Sequence, residues 1–140
     1  ISDEFKVSSS YIKLMEQLQA AMRTEIAEMH IAIETNPTSN IKIGNFDKHI
    51  EHPITKFYNA ELEIDHSKLQ ECSQISVSIN TDDLGVFDTN LENEYALMAI
   101  ALEKEKDENG NPKYCSRQIY NWLESIRQMG EEQQFIRLYD

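Results

Sequence analysis

Two short apolar runs, each followed by polar turn-forming residues, constrain the fold of this chain most strongly. Residues 74–80 alternate between apolar and polar side chains, which predicts a β-strand. Residues 31–33 form a continuous apolar run, which predicts a second, buried strand. Helical patterns lie before, between and after these runs, and this order indicates parallel βα units. Because two strands cannot form a parallel sheet that is covered on both faces, we predict part of an α/β barrel or sheet.

Three long segments have the spacing of helices. Apolar residues recur every three or four positions over residues 10–30, which predicts an amphipathic helix that packs on the core. Thr89 followed by Glu92 matches a capping box and predicts a second helix that ends near residue 104. Ser116 is expected to cap a third helix, which Gly130 ends.

The intervening segments are expected to be mostly irregular. Residues 34–51 are interpreted as a loop because of their turn-forming residues, and a short helix starts at Pro53. Residues 59–73 are interpreted as a surface insertion, and residues 105–140 as a helical extension with a last turn at Phe135, Ile136 and Leu138. The prediction is one partial domain over residues 1–140, with two short parallel strands and four to five helices.

The expected core combines the two strands with the apolar faces of the later helices. Hydrophobic residues make up 40 % of the chain, which is enough for a packed interior. The predicted core residues are Ile31, Ile33, Ile75, Val77, Ile79, Leu97, Ile100, Trp122 and Leu123.

Charge and cysteine content exclude several classes of protein. Lys and Arg total 13 against 25 Asp and Glu, for a net charge of −12, which argues against binding to nucleic acid or to anionic membranes. No apolar run approaches the roughly 20 residues of a membrane span. The two cysteines, Cys72 and Cys115, are too few for a disulfide framework and are interpreted as structural thiols. A cytoplasmic location is therefore expected.

Asp82 and Asp83 are the main candidates for a functional site. They follow the predicted strand over residues 74–80, and active-site residues of parallel α/β barrels lie at such strand ends. The two carboxylates point in different directions and could serve a metal and a substrate separately. Alternatively, they form an Asx turn and cap the next segment. The four histidines, at positions 30, 49, 52 and 66, lack the spacing of a zinc site. His30, His49 and His66 are interpreted as solvated or helix-capping residues.

Residues 75–99, ISVSINTDDLGVFDTNLENEYALMA, resemble the last barrel strand and following helix of the adenosine deaminase family. The matching residues are Asn80, Thr81, Asp82, Asp83, Phe87, Leu91, Glu94 and Tyr95. Residues 33–57 resemble the preceding strand and loop of that family. There the matching residues are Glu34, Asn36, Pro37, Ser39, Asn40, His52 and Pro53.

This resemblance implies a zinc-dependent hydrolytic deaminase built on a (β/α)₈ barrel, in which zinc lowers the pKa of the attacking water. It implies that Asp82 is a catalytic residue, which binds the metal and orients the water. Asp83 would form a hydrogen bond with a ring nitrogen of a purine nucleoside substrate. Ser39 and Asn40 would support the site, and His52 would shape the loop without binding metal.

The departures from the family pattern are as informative as the matches. The His-x-His pair, the later metal-binding histidine, the glutamate proton shuttle and a further catalytic histidine are absent, and Leu84 stands where proline is usual. The chain is therefore expected to be the C-terminal portion of a deaminase-like enzyme, inactive without the N-terminal part of the barrel. The alternative is a non-catalytic, deaminase-like interaction module. In either case the exposed barrel surface could support a homo-oligomer.

Overall fold

The computed structural model describes residues 7–44 and 46–134 and shows an α/β fold. The helices are α1 (Ser9–Glu28), α2 (Pro37–Ile43), α3 (Ile54–Phe57), α4 (His66–Glu71), α5 (Leu84–Phe87), α6 (Leu91–Glu103) and α7 (Ser116–Glu132), and a 3₁₀ turn spans His49–Glu51. The strands are β1 (Ile33–Thr35) and β2 (Val77–Ile79). None of the described helices is long and apolar enough to cross a membrane.

The two strands form a parallel sheet, as predicted. Ile33 pairs with Val77 and Thr35 with Ile79. The ladder continues past β1, because the amide of Asn80 donates to the carbonyl of Thr35 at 2.8 Å. β1 begins two residues later than predicted, and buried Thr35 donates its hydroxyl to the Ser78 carbonyl at 2.7 Å. The parallel arrangement places the carboxyl ends of both strands at the same edge.

The core lies where α6 and α7 pack against β2. The buried hydrophobic residues are Ile54, Leu62, Ile75, Val77, Ile79, Met98, Leu102, Ile119, Trp122 and Ile126. The indole of Trp122 also donates to the Tyr58 carbonyl at 3.0 Å, which anchors α7 to the segment after α3. α7 is thus an integral part of the packed interior.

The prediction of the core is only partly confirmed. Ile75, Val77, Ile79 and Trp122 are buried, and Ile33 and Leu123 pack against the core from its edge. The prediction is wrong for Ile31, Leu97 and Ile100, which are exposed. On α6 the buried positions are instead Glu94, Met98 and Leu102. These three residues follow a four-residue spacing, so they occupy one face of the helix.

The first helix is confirmed, but its predicted packing is wrong. Ser8 caps α1 by accepting the amide of Tyr11. No residue of α1, all of which the structure describes, is buried, and Leu18 is 51 % exposed. The helix meets the core near its C-terminal end, where Ile26 and Ala27 are half-buried. Among the described residues, no element therefore covers its apolar stripe.

Four short helices raise the number in the described residues to seven, above the four to five predicted. The segment 34–51 is not a continuous loop, because Pro37 occupies the first turn of α2, where its missing amide is not needed. Residues 59–73, the predicted insertion, contain α4, whose N-cap Asp65 accepts the amide of Ser67. The predicted short helix, α3, begins at Ile54, one residue later than predicted, and Pro53 is its N-cap.

The predicted boundaries of α6 and α7 also need correction. Asn90, not Thr89, caps α6, because its side chain accepts the amide of Asn93. Cys115, not Ser116, is the N-cap of α7. Gly130 lies inside α7, where a Cβ would come within 3.4 Å of the Ser78 Cβ, so glycine permits close packing on β2. The predicted final turn at residues 135–138 lies outside the described residues.

Candidate functional site at the carboxyl edge of the sheet

Two segments that are distant in sequence meet at the carboxyl edge of the sheet. The hydroxyl of Ser39, in α2 after β1, donates to Oδ2 of Asp82, in the turn after β2, at 2.8 Å. Ser39 is 1 % exposed, whereas the Asp82 side chain is accessible to solvent. We call Ser39, Asp82 and Asp83 the carboxyl-edge site. The contact follows from the parallel pairing of β1 and β2, which brings both strand ends together.

The backbone of Asp82 has an uncommon conformation. Its φ angle is +58°, in the left-handed region that most residues with a side chain avoid. Aspartate tolerates this region better than most residues, but the conformation still needs support from its surroundings. The hydrogen bond from Ser39 provides such support, since it holds the carboxylate in one direction.

Asp83 is the N-cap of α5. Its Oδ1 accepts the amides of Gly85 and Val86, each at 2.9 Å. The capping interpretation is thus confirmed for Asp83, while the Asp82 carboxylate is directed to Ser39 instead. Oδ2 of Asp83 has no hydrogen bond to any described residue, so one oxygen is available to a ligand while the other fixes the turn.

His52 and Asn40 hold the loop that presents Ser39. Oδ1 of Asn40 accepts the amide of Asn36 at 3.2 Å and also bonds to Nε2 of His52 at 2.9 Å. The amide of Ile54 donates to Nδ1 of His52 at 3.2 Å. Nδ1 is therefore unprotonated, and Nε2 carries the proton that is donated to Asn40.

The electrostatic environment of His52 agrees with this neutral tautomer. Burial, reinforced by the neighbouring His49, lowers the pKa of His52 to about 4, while the charge of Glu94 acts in the opposite direction. His52 is 3 % exposed. The residue thus stays neutral near pH 7 and shapes the loop.

Glu94 is a residue near the site that sequence reasoning did not select for a role. It is fully buried on α6. Its Oε2 accepts the amide of Thr38, at the start of α2, at 2.9 Å, and its Oε1 accepts the hydroxyl of Thr89 at 2.5 Å. The ion pairs found among the described residues involve Arg127 instead. The four-residue spacing of Glu94, Met98 and Leu102 is the sequence signal that could have revealed its burial.

The other histidines do not assemble a metal site. His49, which was expected to be solvated or helix-capping, is half-buried in the 3₁₀ turn, and its Nε2 lies 3.5 Å from the Thr38 hydroxyl oxygen. Burial lowers the pKa of His49, and Glu94 partly opposes this change. His30 and His66 are exposed, as expected.

The described residues do not fit a complete zinc site. Within residues 7–44 and 46–134, no three His, Cys, Asp or Glu side chains lie close enough together to hold a metal ion. Asp82 could contribute a single carboxylate, whereas zinc sites need three or four protein ligands.

The comparison with known proteins identifies the family. The adenosine deaminase family model matches residues 14–111, which is most of the chain, and the chain belongs to this family. The match includes the entire carboxyl-edge site and Glu94, whereas α7 lies outside it.

Curated relatives support the same assignment over part of their length. The chain is 36 % identical over 85 residues to an aminodeoxyfutalosine deaminase of Streptomyces avermitilis, which is 61 % of this chain and 20 % of that protein. It is 38 % identical over 77 residues to the aminodeoxyfutalosine deaminase of Streptomyces coelicolor, which is 55 % of this chain and 16 % of that protein. It is 36 % identical over 77 residues to an adenosine deaminase of Plasmodium gallinaceum, which is 55 % of this chain and 18 % of that protein. The matched region thus spans a fifth or less of each relative, and no solved structure matches the chain significantly.

Proposed function

We propose that this chain forms part of the active site of a zinc-dependent hydrolase that removes an amino group from adenosine or a related purine nucleoside. The contact between Ser39 and Asp82 carries the proposal, because it joins the two family motifs at one edge of a parallel sheet. That edge is where the active sites of (β/α)₈ barrels lie. In this proposal β1 and β2 are the last two strands of such a barrel.

The two aspartates have different roles in this proposal. Asp82 is the catalytic residue: it is a metal ligand and orients the attacking water. Asp83 binds the substrate by a hydrogen bond to a ring nitrogen of the purine. Their geometry supports this division, since Asp82 is held by Ser39 while Asp83 keeps one oxygen without a partner among the described residues.

The remaining metal ligands and most of the substrate pocket come from residues outside this sequence. Residues 1–140 then form a single partial domain, in which 59–73 are an insertion and 105–140 a helical extension. The complete enzyme is proposed to act in the cytoplasm, and the isolated chain is proposed to be inactive. The small share of each relative that the chain covers supports this division of the active site.

The direct test is the activity of a longer protein from the same gene that contains this chain. Ammonia release from adenosine and from aminodeoxyfutalosine would be measured for the wild type, Asp82→Asn and Asp88→Asn. Asp88 is the matched control, because it is exposed and also has a left-handed backbone, with φ +50°. We expect D82N to reduce kcat/KM by at least about 10³-fold and D88N to retain activity. Full activity in D82N, or no deamination by the wild type, would refute the proposal.

The surface of α1 favours a second candidate, a deaminase-like module that binds another copy of itself without catalysis. Leu14, Leu18 and Met22 are all more than half exposed on this helix, and contiguous apolar surface promotes association. Analytical ultracentrifugation of the chain would reveal a stable dimer in this case. A compact monomer would count against the module.

A further inference from the structure

Glu94 is a buried carboxylate without a role in the proposed chemistry. It is fully buried, yet it faces neither solvent nor, among the described residues, a cationic side chain within 4 Å. Burial of a charge is costly unless hydrogen bonds compensate for it. Both of its oxygens are hydrogen-bonded, one to the Thr38 amide and one to the Thr89 hydroxyl.

The two donors belong to different segments of the site. Thr38 precedes Ser39 in α2, and Thr89 follows α5, the helix that Asp83 caps. Glu94 therefore connects helix α2, which follows β1, with the segment after α5, which follows β2. Each carboxylate oxygen has one donor, the Thr38 amide at 2.9 Å and the Thr89 hydroxyl at 2.5 Å, so one side chain joins both segments.

The position of Ser39 depends on this connection. Thr38 and Ser39 are consecutive, so fixing the amide of Thr38 fixes the point from which the Ser39 side chain starts. At the other end of α2 the Lys42 ammonium group donates to the carbonyl of Phe87 in α5. Ser39 thus lies between two attachments of α2, and its hydroxyl is held 2.8 Å from the Asp82 carboxylate.

We propose that Glu94 is a positioning residue: by accepting the Thr38 amide it holds α2 so that Ser39 orients the Asp82 carboxylate. The functional meaning of this role rests on the proposed function, since Asp82 is the catalytic residue there. The structural coupling itself can be tested in the 140-residue chain without any activity.

The test is an NMR comparison of the wild type with Glu94→Gln, Glu94→Leu and Ser39→Ala. The readouts are the Asp82 carboxyl carbon resonance and the hydrogen exchange of the Thr38 amide. The amides of Val77 and Leu102, in the core, report whether each variant is folded. Glu92→Gln is the matched control, since Glu92 is exposed in the first turn of the same helix.

We expect E94L to accelerate Thr38 exchange by about tenfold or more and to move the Asp82 resonance to its position in S39A. E94Q should give a smaller change in the same direction, because glutamine keeps the shape but has one acceptor oxygen where glutamate has two. Adding S39A to E94L should change the Asp82 resonance no further, and E92Q should match the wild type.

The proposal is overturned if S39A moves the Asp82 resonance while folded E94L leaves it at the wild-type position. E94Q keeps the test decisive if E94L does not fold, because an unchanged Asp82 resonance in E94Q has the same meaning. Loss of the proposed function alone has a different signature: the coupling persists in the chain, but the longer protein releases no ammonia.

Discussion

Helices α1 and α6 are both rich in apolar residues at helical spacing, yet they contribute to the fold in different ways. α6 buries Met98 and Leu102 completely against β2 and α7. α1 has no buried residue, and Leu18 in its middle is half exposed. Periodicity therefore predicts a helix, but burial also needs an element that covers one of its faces. Within residues 7–44 and 46–134, α6 has such an element and α1 does not.

The comparison has an energetic consequence. Burial of a Leu or Ile side chain stabilises a fold by roughly 1.5–3 kcal/mol, and α1 gains little of this. The stability of the chain should depend on the packing of β2, α6 and α7.

The largest expected effect is therefore that of Trp122→Ala. Trp122 is fully buried and donates to the Tyr58 carbonyl, so its truncation leaves a cavity and an unpaired carbonyl. We expect the free energy of unfolding in urea to fall by about 3–5 kcal/mol. Leu18→Ala on α1 is the comparison variant, and it should change the free energy of unfolding by less than about 0.5 kcal/mol. A similar loss in both variants would show that α1 is covered in solution and would remove the contrast.

The next effect is a loss of stability in mild acid. The pKa of His52 is about 4 in the folded chain and near 6.5 in the unfolded chain, so only the unfolded state takes up this proton between those values. The contribution of neutral His52 to the free energy of unfolding is therefore fully present above about pH 6.5, and it decreases as the pH falls toward 4. We expect His52 to account for a loss of about 1–2 kcal/mol by pH 5.

Urea unfolding at several pH values between 7 and 5 would measure this loss. His52→Gln should flatten the dependence, since glutamine is neutral throughout and can still donate to Asn40. His66→Gln, at an exposed position, should keep the slope of the wild type. An unchanged slope in H52Q would show that another group is responsible.

The smallest effect compares two serine–aspartate hydrogen bonds. Ser39 is buried and bonds to Asp82 at 2.8 Å, whereas Ser67 is exposed and bonds to Asp65 at 2.6 Å. We expect Ser39→Ala to lower the free energy of unfolding by about 1–2 kcal/mol and Ser67→Ala by less than about 0.5 kcal/mol. Equal effects in thermal or urea unfolding would show that burial adds nothing to the Ser39 contact.

The sequence predicts the sheet well because both strands carry strong local signals. Alternation identifies the strand that contains Val77 and Ile79, although it begins at Val77 and not at residue 74, and the helices between the strands predict parallel pairing. Parallel pairing in turn predicts that the polar residues after each strand meet at one edge. The contact between Ser39 and Asp82 is thus a consequence of topology, although its geometry is not.

Other features depend mainly on tertiary structure, and the sequence analysis did not predict them. Pro37 fits either a loop or the first turn of a helix, so the sequence around it does not decide between them. In the structure the helix α2 is held by contacts from Thr38 to Glu94 and from Lys42 to Phe87. Glu94 looks like an exposed residue because carboxylates are rarely fully buried. Its burial depends on donors from Thr38 and Thr89, which are distant from one another in sequence.

The central claim is that this chain holds one part of a metal-dependent active site and not a complete one. The most direct measurement is the zinc content of the purified chain after equilibration with zinc, with Asp82→Ala as the control. We predict substoichiometric zinc that is equal in both proteins. Near-stoichiometric zinc in the wild type that is lost in D82A would contradict the claim, since the chain or its copies would then complete the site.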